Sequence, residues 1–376
     1  MAVSARRLRT RELLLAALGD ADALTRADLS EQTGLSASAV SDGITLLQAE
    51  GLIAVERATR AGRGRHPETL RLRRPDGIVV GLDFGHAHVT AAVATTAGDI
   101  LAEQSRNLDV DAQPVRALDA AAALTRRALT AAKASAAQVV GVAAGLPRPL
   151  DRRTQPIEAS GWTNVDPAGE LSRRLGQRVV IGNDADMGAR GERVFGAARG
   201  RDDFVYVKVS HGIGAGLVLN GQSYRGSVGI AGEIGHTQVP GAVDWCHCGS
   251  RGCLEAVVSI STVRRQLAHV RAGADVPPLT ELAGDEAAAR VITDAGRTLG
   301  RVLADLVNCL NPAAVVLGGE LGVSGAPLVA GVRESIDRYA EPASARAVDV
   351  VPAQLGLRSE LFGAIAAAAQ QASTHH

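Results

Sequence analysis

The sequence predicts an α/β protein in two parts: a small helical N-terminal domain carrying a β-hairpin, and a larger domain made of two related α/β halves. Three observations predict it. Leu24, Leu29, Leu35, Val40, Ile44 and Leu47 recur at helical spacing, broken at Gly34 and stopped at Gly51 ahead of two short strand-like runs. After "RRPDG" the pattern changes to three consecutive strand candidates, "GIVVGLDFG", "HVTAAVATT" and "DILAEQSRN". From residue 202, "DDFVYVKVSHGIGAGLVLNGQSYRG" repeats the opening order of strand, turn bearing Gly and His, and strand.

A chain of 376 residues can bury more than one core. Apolar residues at 46% and charged residues at 21% lie in the globular range, and aromatics at 2% leave the cores to Ala, Val, Leu and Ile. Glu12 and Asp20 interrupt the N-terminal apolar run, which does not read as a signal peptide. No segment approaches the roughly 18 apolar residues of a membrane span. A cytoplasmic protein with reduced thiols and no membrane partner is the expectation. Charge balances at 40 basic and 40 acidic residues, yet residues 1–74 hold twelve Arg against nine acids. The arginines cluster at Arg6, Arg7, Arg9 and Arg11, and again at Arg57, Arg60, Arg63 and Arg65.

Within residues 1–75, Gly34 suits a tight turn between two helices, because it tolerates positive φ, and Ser36 can N-cap the second helix. "LIAVERA" and "ETLRLRR" flank the Arg- and Gly-rich loop "TRAGRGRHP". This is the punctuation of a winged helix-turn-helix, and it implies an operator DNA partner. A small helical oligomerisation domain is the alternative, and it leaves the basic wing without a role. The exposed positions of the recognition helix are Ala37, Ser38, Ser41, Asp42 and Thr45. None is a long polar reader of base edges, and Asp42 would repel a phosphate, so direct readout should be weak. The candidate DNA contacts are Ser36, Ser38, Ser41, Thr45, Arg63 and Arg65, with most affinity expected from the wing and N-terminal arginines.

Residues 76–376 continue with an Ala-rich helix around 115–135 and a strand at "VVGVAAGLP". The duplicated pattern divides them into lobes of about 76–182, with the C-terminal helix, and about 183–354. Two such halves facing across a cleft make the duplicated, ribonuclease H-like architecture of the actin and sugar-kinase superfamily, in which paired hairpin turns hold nucleotide phosphates. "GLDFG", "GLPRPLD", "GWTNVD", "GNDADMGARGE", "GIGAGLVLNG", "GEIGHTQV", "CHCGSRGCLE" and "VVLGGEL" follow one another in order. With the N-terminal helices, this series resembles the ROK family (repressor, open reading frame, kinase). The family's repressor branch fuses a winged helix-turn-helix to a sugar-kinase-like domain.

Cys246, Cys248 and Cys253, spaced C-x-C-x4-C, are three soft ligands of a tetrahedral zinc site. His247 lies between two ligand cysteines and would have to fold back on their metal. His236 can approach along a returning chain, and the family uses the matching histidine. One structural Zn2+ on His236, Cys246, Cys248 and Cys253 is therefore expected. A disulfide would strand the odd cysteine and needs an oxidising compartment. Cys309, in "VLADLVNCL", is read as a packed helix residue.

A zinc-bound His236 is fixed in orientation, with its other nitrogen free for a ligand. Glu233 and Glu255 flank it in sequence, and carboxylates beside an imidazole suit vicinal hydroxyls. The resemblance implies a sugar held by Asn183, Asp184, Glu233, His236 and Glu255, with Asp184 matching the general base of the kinases. Asp184 would equally serve as a helix cap ahead of "ADMGARGE". Gly182 and Asp186 stand where the kinases have a glutamate and an asparagine.

Active kinases of the family carry a glycine pair with a threonine in the first hairpin turn, and a glycine and threonine in the second. Here the turns read Asp83-Phe84-Gly85-His86-Ala87-His88 and Ser210-His211-Gly212-Ile213-Gly214, without either threonine. A larger residue replaces a glycine in each, obstructing the N–H groups that would wrap a phosphate. His86, His88 and His211 are expected as neutral, solvent-facing turn residues. The reading is a sugar-responsive transcriptional repressor without catalysis, probing DNA as a homodimer or higher oligomer. The alternative is an ATP-dependent sugar kinase with an appended DNA-binding domain.

Overall fold

The structure, a computed structural model, describes residues 5–19, 23–49, 52–57, 68–72, 77–151, 162, 165–273, 275–282 and 284–374. It divides into two compact units, Met1–Gly77 with Ala369–His376, and Ile78–Ala368.

The first unit runs α1 (Ala5–Gly19), α2 (Arg26–Thr33), α3 (Ala37–Ala49), β1 (Ile53–Arg57) and β2 (Glu68–Leu72). Thr25 opens α2 with a reciprocal cap: its hydroxyl accepts from Asp28 N at 3.2 Å, and its own N–H donates to Asp28 Oδ2 at 2.8 Å. Such a cap stabilises a helix by about 1 kcal/mol. Gly34 closes α2 at φ 65°, as its place in the sequence requires. Ser36 Oγ accepts from Ala39 N at 3.3 Å, the capping contact expected at the start of α3. Leu14, Leu18, Leu29, Val40, Ile44, Leu47 and Leu70 form the buried centre. β1 and β2 pair antiparallel, with Ile53 opposite Leu72. This is a winged helix-turn-helix. Arg60, Arg63 and Arg65 lie outside the described residues.

In the second unit, β3 (Ile78–Phe84), β4 (His88–Thr95), β5 (Ile100–Asn107), α4 (Pro114–Ala131), β6 (Val139–Leu146), α5 (Pro167–Leu175), β7 (Val179–Asn183) and α6 (Asp184–Phe195) come first. Then follow β8 (Phe204–Val209), β9 (Ile213–Leu219), β10 (Gln222–Ser223), α7 (Leu254–Val258), α8 (Ile260–Val270) and α9 (Glu286–Leu310). The chain ends with β11 (Ala314–Gly318), α10 (Gly319–Gly322), α11 (Ala326–Tyr339), α12 (Pro342–Ala347), β12 (Asp349–Pro352) and α13 (Ser359–Thr374). The two sheets have the orders β5-β4-β3-β6-β7 and β10-β9-β8-β11-β12. In each, three strands meander antiparallel and two more add parallel to the first of them. The repeat heard in the sequence is thus a repeat of topology.

The last helix returns to the first sheet. A Cβ at Gly81 of β3 would run into Ile365, and one at Gly141 of β6 into the Ala368 carbonyl. Gly191 of α6 meets the Ser359 carbonyl in the same way, so these glycines allow α13 to lie directly on strand and helix backbone. Cys309 does lie in a helix, α9, but it is exposed. The apolar stripe of α9 runs through Leu299, Leu303 and Val307, and Cys309 falls off that face.

Candidate functional site: a histidine–cysteine cluster beside two facing turns

The chain segment after β10 is laid against β9. Ala215 N donates to the Gly232 carbonyl at 2.8 Å, and Gly235 sits so close to the Ile213 carbonyl that a side chain there would collide with it. This packing fixes the short turn Ile234–His236, and with it Glu233 and His236. The segment then returns through bridges of Gln238 to Cys253 and Trp245 to Arg251. His236 Nδ1 lies 3.6 Å from Cys246 Sγ, and the Cys248 and Cys253 sulfurs are 3.8 Å apart. One ligand atom from each of His236, Cys246, Cys248 and Cys253 falls within 4.8 Å of all the others, so the four can hold a metal ion. Burial pushes the Cys246 thiol up to about 12 and raises Cys253 as well, a cost that a soft cation would offset. All four cysteines are free thiols.

Cys253 is also the residue before α7, which carries Glu255. Glu255 Oε2 accepts from Ile213 N at 2.9 Å, and Oε1 lies 3.0 Å from His247 Nδ1. His247 is not one of the four-ligand group; its ring lies 5.7 Å from that of His236, and one ligand atom from each of His247, Cys246 and Glu255 also falls within 4.8 Å of the others. The C-x-C spacing gives no signal for that pairing, because it depends on α7 folding back.

On the other side, Asn183 rather than Asp184 caps α6. Its Oδ1 accepts from Ala185 N at 2.9 Å and Asp186 N at 3.3 Å, while Nδ2 donates to the Arg148 carbonyl at 2.9 Å. Asp184 begins the helix itself. Its Oδ1 accepts from Ala185 N and its Oδ2 from Lys208 Nζ, both at 2.8 Å. Asp186 pairs with Arg225 at 2.8 Å, and burial raises its pKa despite that partner. A Cβ on Gly182 would stand 2.5 Å from Met187 Cε, so Gly182 leaves room for the Met187 side chain, with the Arg225 guanidinium at ordinary contact distance beyond.

The two turns face each other. The rings of His86 and His211 are 5.7 Å apart, and a Cβ on Gly212 would be 3.8 Å from His86 Nε2. The three turn histidines keep partial solvent exposure as expected, but each also meets a carboxylate, His211 Nδ1 lying 3.6 Å from Glu320 Oε1. His86 Nδ1 is 2.7 Å from Asp111 Oδ2, and Asp111 is also held by Arg148. His88 Nε2 is 3.0 Å from Asp83 Oδ2, a hydrogen bond that raises the His88 pKa and favours its charged form. Ser210 Oγ accepts from Glu320 N at 3.0 Å at the start of α10. Asp111, the partner of His86, comes from 25 residues away and leaves no local signal, whereas Asp83 lies only five residues from His88 across the same hairpin.

In the first unit, Ser36, Ser38, Ser41, Asp42 and Thr45 are exposed on or beside α3, as expected for a face that meets another molecule. Arg26, which the sequence reading passed over, lies with Nη1 3.4 Å from Ser41 Oγ and adds a cation to that face. Among the described residues no helix is long and apolar enough to cross a membrane.

Residues 79–371 match the ROK family, and residues 13–64 match the MarR family. The xylose repressor of Bacillus subtilis (strain 168) is 28% identical over 356 residues, covering 94% of this chain and 92% of its own. A crystal structure of a ROK family transcriptional regulator, a homologue of the E. coli MLC protein, has the same fold: TM-score 0.73, 22% identity, 98% of this chain and 96% of that one. A ROK family glucokinase from Streptomyces griseus, in complex with glucose and AMPPNP, matches at TM-score 0.67 and 28% identity, covering 78% of this chain and 100% of its own. The match over residues 79–371, around the cysteine cluster and both turns, establishes that this chain belongs to the ROK family.

Proposed function

We propose that the chain is a sugar-responsive transcriptional repressor, which binds operator DNA through its winged helix and releases it when a sugar binds the larger unit. The observation that carries this reading is coverage. A relative named as a xylose repressor aligns over 94% of the chain, winged helix included, whereas the glucokinase structure covers 78%. In this reading Ser36, Ser38, Ser41 and Thr45, with Arg63 and Arg65 of the wing, contact DNA. The protein works as a homodimer or larger assembly, because paired half-sites call for paired helices.

The sugar is held by Asn183, Asp184, Glu233, His236 and Glu255. A structural zinc ion on His236, Cys246, Cys248 and Cys253 keeps the imidazole and Glu255 in place for it. The donor set fits zinc: three soft sulfurs and one imidazole nitrogen, mutually within 4.8 Å. The metal's contribution is positional. His236 directs Nδ1 at the cysteines, which leaves Nε2 for a sugar hydroxyl. Glu255 accepts from the Ile213 N–H and is able to accept sugar hydroxyls as well.

Phosphoryl transfer is not part of the proposed function. His86 and His211 stand between the turns where a nucleotide phosphate would need open backbone N–H groups. The kinase alternative rests on Asp184 at the start of α6, a carboxylate that the present reading assigns to a sugar hydroxyl. The reading is tested by a thermal-shift screen of monosaccharides, amino sugars and oligosaccharide fragments, followed by operator binding with and without each hit. A sugar that raises the melting temperature and weakens operator binding is the expected result. Phosphorylation of that sugar with ATP and magnesium at ordinary kinase turnover, about 1–100 per second, would replace this reading with the kinase.

A further inference from the structure

Lys208 lies on β8, and its ammonium meets carboxylates from three other elements. It is 2.8 Å from Asp184 Oδ2 at the start of α6 and 3.8 Å from Glu360 Oε1 on α13. Asp83, at the end of β3, is close enough to act on the same charge. The four side chains are only 4% to 13% exposed. Burial works against a charge on Lys208, yet Asp184, Glu360 and Asp83 together raise its pKa above the ordinary lysine value.

The carboxylates outnumber their cations. Asp83 gives Oδ2 to His88, while its Oδ1 is buried without a hydrogen-bond partner among the described residues. Glu360 Oε1 accepts from Tyr206 Oη at 2.9 Å and is otherwise served by Lys208. Three buried carboxylates from separate elements form a hard-oxygen donor set, the kind that holds Mg2+ or Mn2+. Here a compact ammonium on a tethered stem stands among them.

We propose that the Lys208 ammonium is the resident cation of this cluster, standing where a divalent ion would otherwise bind Asp83, Asp184 and Glu360. It cannot dissociate, so it gives the cluster one permanent positive charge and ties β8 of the second sheet to β3, α6 and α13. A divalent ion entering the cluster would face the ammonium's repulsion and find Asp184 Oδ2 taken. The divalent ion that phosphoryl transfer requires is denied these carboxylates by the same charge. This inference deepens the non-catalytic part of the function proposed above, and it gives that part a cause in one residue.

The experiment is a Mn2+ titration of the full-length, zinc-loaded chain, followed by electron paramagnetic resonance of the free ion. Wild type should take up no Mn2+ at the cluster. Lys208→Met, which keeps the length of the stem and removes the charge, should gain a Mn2+ site roughly tenfold or more tighter than any in wild type, and the ion should raise its melting temperature. The double variant Lys208→Met, Asp184→Asn should lose that site, and Lys208→Arg should never gain it. If Lys208→Met is unfolded alone, Mn2+ should restore its folded signal. The proposal is overturned if folded Lys208→Met binds no more Mn2+ than wild type. It is equally overturned if Mn2+ leaves an unfolded variant unfolded, or if wild type holds an ion that Asp184→Asn removes. The titration uses no sugar, DNA or ATP, so its failure is separable from that of the repressor reading, which falls to a phosphorylation assay.

Discussion

The buried carboxylate of Glu192, near the end of α6, accepts a hydrogen bond from the Ser359 hydroxyl at the start of α13, 2.8 Å away. Glu192 also accepts from Ala197 N at 2.7 Å, Gln354 N at 3.0 Å and Leu355 N at 2.9 Å. One side chain thereby satisfies three backbone donors and fixes where α13 begins, and hence where Glu360 points. With the Ser359 hydroxyl keeping the Gly356 carbonyl at 2.9 Å, Glu192→Ala takes the acceptor from three backbone donors. It should cost about 3 kcal/mol or more in denaturant unfolding, against about 1 kcal/mol for Ser359→Ala. Equal costs for the two variants would show that the carboxylate is not the centre of this network.

The zinc assignment makes a compositional prediction. Purified protein should contain one zinc per chain by metal analysis, and Cys248→Ser should lose both the metal and folded stability, because the ion binds the folded arrangement of ligands. A Cys246–Cys253 disulfide found by mass mapping under reducing conditions would contradict it.

On the DNA side, the Ser38, Ser41 and Thr45 face of α3 offers hydroxyls where long polar readers would sit. Replacing both Arg63 and Arg65 by Ala should therefore weaken operator and random DNA together, and lower the slope of log affinity on log salt by roughly 2. Wild-type affinity and slope in the double variant would remove the wing from the interface.

The carboxylate cluster predicts a pH dependence of stability. Burial pushes Glu360 up to about 7 against the pull of Lys208, and the Asp83 hydrogen bond raises His88. Both groups hold a proton more tightly folded than unfolded. The stability they give is complete below their unfolded values, and is lost as pH rises through about 7 for Glu360 and through the raised value of His88. Between roughly pH 5 and 8, the difference in melting temperature between wild type and Glu360→Gln should narrow or change sign as pH rises, since only wild type loses this contribution. A constant difference would mean that Glu360 does not titrate in that window.

What the sequence determined by itself was written in short-range patterns. Helical spacing, Gly34 and Ser36 specified the helix-turn-helix, because caps and turns act over a few residues. The strand–turn–strand repeat specified two sheets of one topology. The C-x-C-x4-C spacing with His236 placed four ligands together, because a returning chain of ten residues can close only tightly. Tertiary structure alone decided what those residues face. Lys208 meets Asp184 from 24 positions away, and Tyr206 meets Glu360 from 154. His247 turns to Glu255 because α7 folds back, and Met187 fills the space beside Gly182. The last turn of α9 leaves Cys309 exposed rather than packed. Charges from separate strands and helices converge only once two sheets and α13 have packed. An isolated lysine in a strand carries no local sign of the carboxylates that will surround it, and the physical reason is that burial and Coulomb energy depend on distance in space, not along the chain.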